Sequence, residues 1–246
     1  MNYKKSLAIF LFIALIIIAG VLLFRYKKSV LQIEQKADNP LVVQDKTITD
    51  NTNPFKINIT YPEIAGLDDF NQKAKAIVDK ELNTFKTNSL ENDQAVKDTD
   101  PENYAKYPRE YELDISYEKG EINNDLISII FNVYNFEGGA HGASYFVPLN
   151  YNVETKKEIK LMDLFPNDEN YLQKISDFCV EDLTSQLTKS GGIEMTEASW
   201  IQRGAGPTEE NFQLFLIDSD NTIIFYFPQY QVAAYAAGNF KVVMPK

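Results

Sequence analysis

The apolar positions of this 246-residue chain change period several times, and each change marks an element. The first run is unbroken: "S-L-A-I-F-L-F-I-A-L-I-I-I-A-G-V-L-L-F", Ser6 to Phe24, holds 19 residues without a charge. At about 1.5 Å per residue a helix of that length spans about 28 Å, close to the ~30 Å hydrocarbon core of a bilayer. A cleaved signal peptide has a shorter apolar stretch of about 7–15 residues, and Ile17 and Ile18 before Ala19-Gly20 make a poor cleavage pattern. A soluble helix of this composition would need apolar surroundings on every face. The run therefore predicts a transmembrane signal-anchor over residues 6–24. Lys4 and Lys5 on one side nearly balance Arg25, Lys27 and Lys28 on the other. A head as short as residues 1–5 is easily left in the cytoplasm, which places residues 25–246 outside.

Residues 25–52 hold few bulky apolar side chains and run into "T-I-T-D-N-T-N-P", which reads as a tether. "F-K-I-N-I-T-Y-P" then alternates Phe55, Ile57, Ile59 and Tyr61 with polar positions, the period of a half-buried strand. After Asp68, a candidate cap, the period becomes helical through Phe70, Ala74, Ile77, Val78, Leu82 and Phe85. Residues 86–110 are polar, contain two prolines and read as a loop. "Y-E-L-D-I-S-Y-E" alternates again, and "L-I-S-I-I-F-N-V-Y-N-F" is apolar enough for a central strand covered on both faces. "S-Y-F-V-P-L-N-Y-N" and "K-E-I-K-L" predict a hairpin. A second amphipathic helix from about Asn167 carries Leu172, Ile175, Cys179, Leu183 and Leu187, ending at Gly191-Gly192. A short helix follows near Glu197 to Gln202. "F-Q-L-F-L-I-D", "T-I-I-F-Y-F-P" and "F-K-V-V-M-P" close the chain as strands. The mixture is α+β, as two sheet-plus-helix subdomains over 53–138 and 139–246.

Charge adds a second distinction. Residues 1–28 contain five basic and no acidic side chains, so the remainder holds 19 basic against 35 acidic, a formal −16. That body repels nucleic-acid phosphates and favours cationic partners by steering encounters. Cys179, the only cysteine, excludes an intrachain disulfide and a thiolate-rich metal site.

Candidate chemistry is sparse. No G-x-S-x-G, P-loop or dinucleotide fingerprint is present. His141 is the only imidazole, so a Ser-His-Asp or Cys-His arrangement must use it, and zinc hydrolysis normally takes two or three histidines. These absences lead to the expectation that the chain is not an enzyme and needs no metal or cofactor. His141 sits in "F-E-G-G-A-H-G-A-S", where Gly138, Gly139 and Gly142 allow positive φ or close backbone approach. A structural turn and a ligand-facing one both fit. "Y-Q-V-A-A-Y-A-A-G", residues 230–238, sets Tyr230 and Tyr235 on a small-residue loop suited to recognising protein or sugar. The candidate ligand-binding residues are His141, Gly139, Tyr230 and Tyr235.

In order, "Y-E-L-D-I-S-Y-E", "F-N-V-Y-N-F-E-G-G-A-H-G", "N-Y-N-V-E-T-K-K-E-I-K-L-M-D-L-F" and "F-Y-F-P-Q-Y-Q-V-A-A-Y-A-A-G" resemble the extracytoplasmic domain of RsiV-like proteins. The same pair of domains of unknown function occurs beside the polysaccharide deacetylase domain of PdaC-type proteins. In that family the last motif more often reads D/N-P-Y-E-V-A-P-Y-A-A-G, from which Gln229, Gln231 and Ala234 depart. The resemblance covers residues 53–246 and implies an exported α+β domain anchored in a bacterial cell membrane by residues 6–24. It implies lysozyme, a cationic protein, as a ligand; a peptidoglycan-related ligand is the other expectation. It assigns deacetylation to a separate, histidine-containing zinc domain that does not match this chain. The expectation is an anchored binding or sensing module of the envelope; the alternative is a cell-wall hydrolase using carboxylates near His141.

Overall fold

The structure, a computed structural model, describes residues 41–107, 109–189, 195–219 and 222–245. The expected head, anchor and first part of the tether lie outside the described residues. Among those described, no helix is long and apolar enough to cross a membrane.

A six-stranded sheet is built from β1 (Val43–Asp50), β2 (Phe55–Ile64), β3 (Tyr111–Ile122), β4 (Leu126–Phe136), β5 (Ala143–Asn152) and β6 (Lys157–Glu158), in that spatial order. All neighbours are antiparallel except β2 and β3. A parallel pair needs a crossover, and α1 (Asp68–Thr99) supplies it. Its buried Phe70, Ala74, Val78 and Phe85 recur at helical spacing and pack on Ile57, Leu113, Ile129 and Phe131 of the sheet. In β4 the five residues Ile127 to Phe131 are all buried, as its continuous apolar run requires for a strand covered on both faces.

A three-stranded antiparallel sheet follows, β7 (Phe215–Asp218), β8 (Thr222–Phe227) and β9 (Phe240–Pro245), ordered in sequence. On one face it carries α3 (Tyr171–Lys189), whose Ile175, Cys179, Leu183 and Leu187 meet Phe215, Ile223, Phe225 and Phe227. The short α4 (Met195–Gly204) adds Ile201 to the same core. Through its other face Leu216 and Tyr226 reach Ile130 and Phe146 of the first sheet. The layers therefore run helix, sheet, sheet, helix, and the α+β class stands.

A polar clasp joins the sheets inside this apolar contact. The Ser128 hydroxyl donates to Asn150 Oδ1 and accepts the Ile217 N–H at 2.7 Å; Asn150 Nδ2 donates to the Phe215 carbonyl at 3.0 Å. Both side chains are buried, yet each is paired, so the seam leaves neither group orphaned. β3 comes close as well. A Cβ on Gly120 would sit 2.2 Å from the Ile217 carbonyl oxygen, so only glycine admits that approach.

Three local expectations change. The tether expected to Thr52 contains β1, an edge strand that pairs along its whole length with β2; its polar, half-exposed positions concealed it. The loop expected over residues 86–110 is mostly helix, since α1 runs to Thr99 and α2 (Pro101–Lys106) follows. Asp100 caps α2 by accepting the Asn103 N–H, with Pro101 in the first turn. Asp68 stands within the first turn of α1 rather than at its cap, which is Leu67. The subdomain boundary expected at 138/139 falls in the β4–β5 connection, and those two strands are neighbours in one sheet.

Candidate functional site

Two loops that the sequence singled out separately meet in space. The first connects β4 to β5. Glu137 pins its start to α1: the side chain accepts from Asn88 Nδ2 at 3.1 Å and from Asn135 Nδ2 at 3.0 Å, and the backbone carbonyl accepts from Asn92 Nδ2 at 2.9 Å. Gly138 and Gly139 then turn the chain at φ +93° and +117°, conformations that side chains resist. Gly142 is buried beneath Tyr134, whose ring lies 2.5 Å from where its Cβ would be.

The second loop joins β8 to β9. Gln231 Nε2 anchors it by donating to the Gly204 carbonyl at 2.8 Å and the Asn211 carbonyl at 3.0 Å. Buried Val232 and Ala233 seat it on the core. From this base Tyr235 donates its hydroxyl to the Gly142 carbonyl at 3.1 Å, across the seam between the sheets. Its ring lies 4.2 Å from that of His141, centroid to centroid, at 32°. Tyr230, held at φ +69° and 54% exposed, sets its ring 5.6 Å from Tyr235.

His141 Nδ1 lies 2.9 Å from the Gly142 carbonyl oxygen. A carbonyl can only accept, so in the neutral imidazole Nδ1 carries the proton and Nε2 the lone pair. The result is an aromatic shelf of His141, Tyr235 and Tyr230, edged by Tyr134. Of the four candidate ligand-binding residues, the structure brings His141, Tyr230 and Tyr235 together. Gly139 stands apart from them in the turn, with no atom within 4 Å of a Cβ placed there.

A cleft of about 480 Å³ opens farther along β5. Pro148, Leu161, Met162, Phe212 and Leu214 give it apolar walls, while Glu158, Lys160, Glu209 and Gln213 supply polar groups. Glu209 Oε1 accepts the Tyr171 hydroxyl at 3.2 Å. Burial, aided by that carboxylate, raises the Tyr171 pKa, keeping the phenol protonated as a donor. Glu158 Oε1 is 2.8 Å from Lys73 Nζ. Sequence reasoning missed Glu158 and Glu209, which lie 51 positions apart among 35 acidic residues and carry no distinguishing pattern. Among the described residues no three His, Cys, Asp or Glu side chains group as metal ligands. Cys179, lining neither feature, is buried, and that burial, with a smaller effect of Asp182, pushes its thiol to about 12.

Comparison with known proteins shows what the chain is similar to. Residues 48–144 match the family model described as deacetylase PdaC, and residues 162–246 match the protein of unknown function family DUF3298. The order is that expected from the sequence. The peptidoglycan-N-acetylmuramic acid deacetylase PdaC of Bacillus subtilis is 28% identical over 204 residues, or 83% of this chain, and the match spans 40% of that protein's length. Two solved structures share the fold at a TM-score of 0.52 each. The DUF3298 member from Bacteroides fragilis is 20% identical, with 83% of this chain and 88% of that one covered. The Pseudomonas aeruginosa member is 14% identical, with 85% and 92% covered. The expectation that the chain is not an enzyme is corrected by these findings: a deacetylase family model matches residues 48–144, and a relative over most of the chain is a peptidoglycan deacetylase. That expectation rested on the absence of familiar catalytic motifs.

Proposed function

We propose that this chain works in the bacterial cell wall as a hydrolase of N-acetylated peptidoglycan, with the cleft between β5, β6 and β7 as its reaction site. The cleft carries the proposal. Its volume of about 480 Å³ lies within the roughly 300–1,000 Å³ typical of small-ligand sites. It combines apolar walls with two carboxylates, the side chains general acid–base hydrolysis requires. The peptidoglycan deacetylase relative supplies the substrate class and the bond to test.

In this reading Glu209, oriented by the Tyr171 hydroxyl, takes a proton from water as its oxygen adds to the acetamide carbonyl carbon. The carbon–nitrogen bond then breaks, the nitrogen takes up the proton and leaves as the sugar amine, and acetate is released. Glu158, with its charge partly balanced by Lys73, stands on the same cleft where the nascent ammonium is stabilised by negative charge.

The test is acetate released from purified peptidoglycan by the full chain, with new reducing ends measured in parallel. Glu209→Gln keeps the shape of the side chain and is expected to slow acetate release by about 100-fold or more. Reducing ends without acetate would move the reaction to the glycosidic bond. Neither product from the unaltered chain would overturn the reading, and undiminished release by both Glu209→Gln and Glu158→Gln would remove the reaction from this cleft.

A further inference from the structure

The shelf and the cleft lie on one seam. Tyr134, His141 and Gly142 flank the start of β5, whereas Pro148 and Asn150 of the same strand line the cleft. Between them the Phe146 ring packs against that of Tyr226 of the second sheet, 4.9 Å between centroids and tilted by 55°, and the Tyr226 N–H donates to the carbonyl of Leu214, a cleft residue, at 2.8 Å. Five steps of extended strand, from Ala143 to Pro148, separate the two features by roughly 17 Å at about 3.3 Å per residue. A single small molecule in the cleft cannot also touch the shelf.

The shelf has the chemistry of a sugar seat. A pyranose presents weakly apolar C–H faces and a rim of hydroxyls, so it rests on aromatic ring faces while its rim forms hydrogen bonds sideways. Tyr230 provides a ring face with about half of its surface open to solvent, and half-buried Tyr235 stands beside it. His141 Nε2 offers an acceptor beside them. The construction is rigid: the Tyr235 hydroxyl is tied to Gly142, Gly142 is covered by Tyr134, and Gln231 fixes the loop beneath. A purely packed turn would have no use for a tyrosine held outward in a left-handed conformation, as Tyr230 is.

We infer that the His141–Tyr235–Tyr230 shelf is a remote subsite for the same glycan strand, so that the protein engages polymeric peptidoglycan at two points along the β5 seam. This rests on the hydrolase reading only for the identity of the glycan. Two weak contacts on one strand combine through their effective concentration, so a strand long enough to reach both binds far more tightly than a disaccharide.

Calorimetric binding of the full chain to defined N-acetylated glycan fragments, a disaccharide and strands of eight or more sugars, reads this directly. The unaltered chain is expected to prefer the long strand at least tenfold. Tyr230→Ala and Tyr235→Ala should each reduce that ratio toward one, while Tyr235→Phe, which keeps the ring and loses the bond to Gly142, should retain most of it. Equal affinity for short and long fragments, or a ratio untouched in both alanine variants, would overturn the inference. Binding is read without turnover, so a chain that releases neither acetate nor new reducing ends yet keeps a Tyr230-dependent length preference would end the hydrolase reading and leave the subsite standing.

Discussion

Glu118 on β3 gathers three donors from two sheets: Lys241 Nζ at 2.7 and 2.8 Å, the Tyr226 hydroxyl at 2.9 Å and Asn132 Nδ2 at 3.2 Å. Burial alone would raise its pKa, but hydrogen bonds from Lys241, Tyr226 and Asn132, with the Lys241 charge, outweigh burial and bring it below 4.5. The folded-state pKa is thus the lower one, so this stabilisation is present above about pH 4.5 and lost as pH falls through the folded value. Because the side chain is 37% exposed, screening trims its worth, and Glu118→Gln should cost about 1 kcal/mol at neutral pH. Urea unfolding at pH 7 and pH 3 checks this: the gap between the unaltered chain and the variant should narrow in acid. At Gly204 the constraint is steric. An added Cβ would lie 1.9 Å from the Gln231 carbonyl oxygen, in a loop tied at the same place by the Gln231 side chain. Gly204→Ala should therefore lose about 1–3 kcal/mol, seen as a lower thermal midpoint. At residue scale the sequence was legible where chemistry is rare. One histidine and two tyrosines among alanines mark residues that meet in space, while the two adjacent glycines turn the chain that carries the histidine. Glu118, Glu158 and Glu209 were not legible, since each is one carboxylate among many and only the fold says which of them have partners.

Elements were legible where their period served one face. The Phe70, Ala74, Val78, Phe85 stripe of α1 and the Ile175, Cys179, Leu183, Leu187 stripe of α3 are buried as their spacing demands. Past Lys86 the stripe fades, yet the helix continues, because its support there is polar. Asn88 and Asn92 hold Glu137, while Asp93 accepts hydroxyls from Tyr104 and Tyr111 at 2.7 and 2.8 Å. Hydrophobic period cannot report an element stabilised by hydrogen bonds to distant loops. β1 was hidden for a related reason: an edge strand needs backbone pairing with β2 more than apolar side chains. The inter-sheet clasp was equally invisible, since Ser128 and Asn150 sit in strands that otherwise read as apolar. Ser128→Ala leaves the Ile217 N–H without its acceptor and Asn150 Oδ1 without its donor, and should cost about 1–3 kcal/mol. Asn150→Ala should cost a similar amount, and the double variant less than the sum, because both belong to one network. Chemical denaturation of the four proteins measures that coupling, and strict additivity would mean the clasp is not shared.

At the scale of the molecule, Leu41 to Lys246 forms one compact unit. Dividing it between the sheets would expose Ile130, Phe146, Leu216 and Tyr226 together. Protein beginning at Leu41 should therefore unfold in one cooperative transition, and two separated calorimetric peaks would contradict a shared core. Its acidic surplus makes a kinetic prediction. Association with lysozyme, the cationic ligand implied by the resemblance, should slow steeply from 0.1 to 1 M salt, as the Debye length falls from about 10 to about 3 Å, with little change in dissociation. Stopped-flow rates beside those of cytochrome c, also basic, separate recognition from bulk attraction; identical behaviour would leave only charge. The shelf has a further consequence for descent. Tyr134, His141 and Gly142 fall in the segment matched over residues 48–144, and Tyr230 and Tyr235 in that matched over 162–246. Neither segment holds the shelf alone, so a recombination that replaced one of them would inherit half a surface. Lineages that keep the shelf must pass both segments on together, and a change in the ring covering Gly142 calls for an answering change in the tyrosine that reaches its carbonyl from the other sheet.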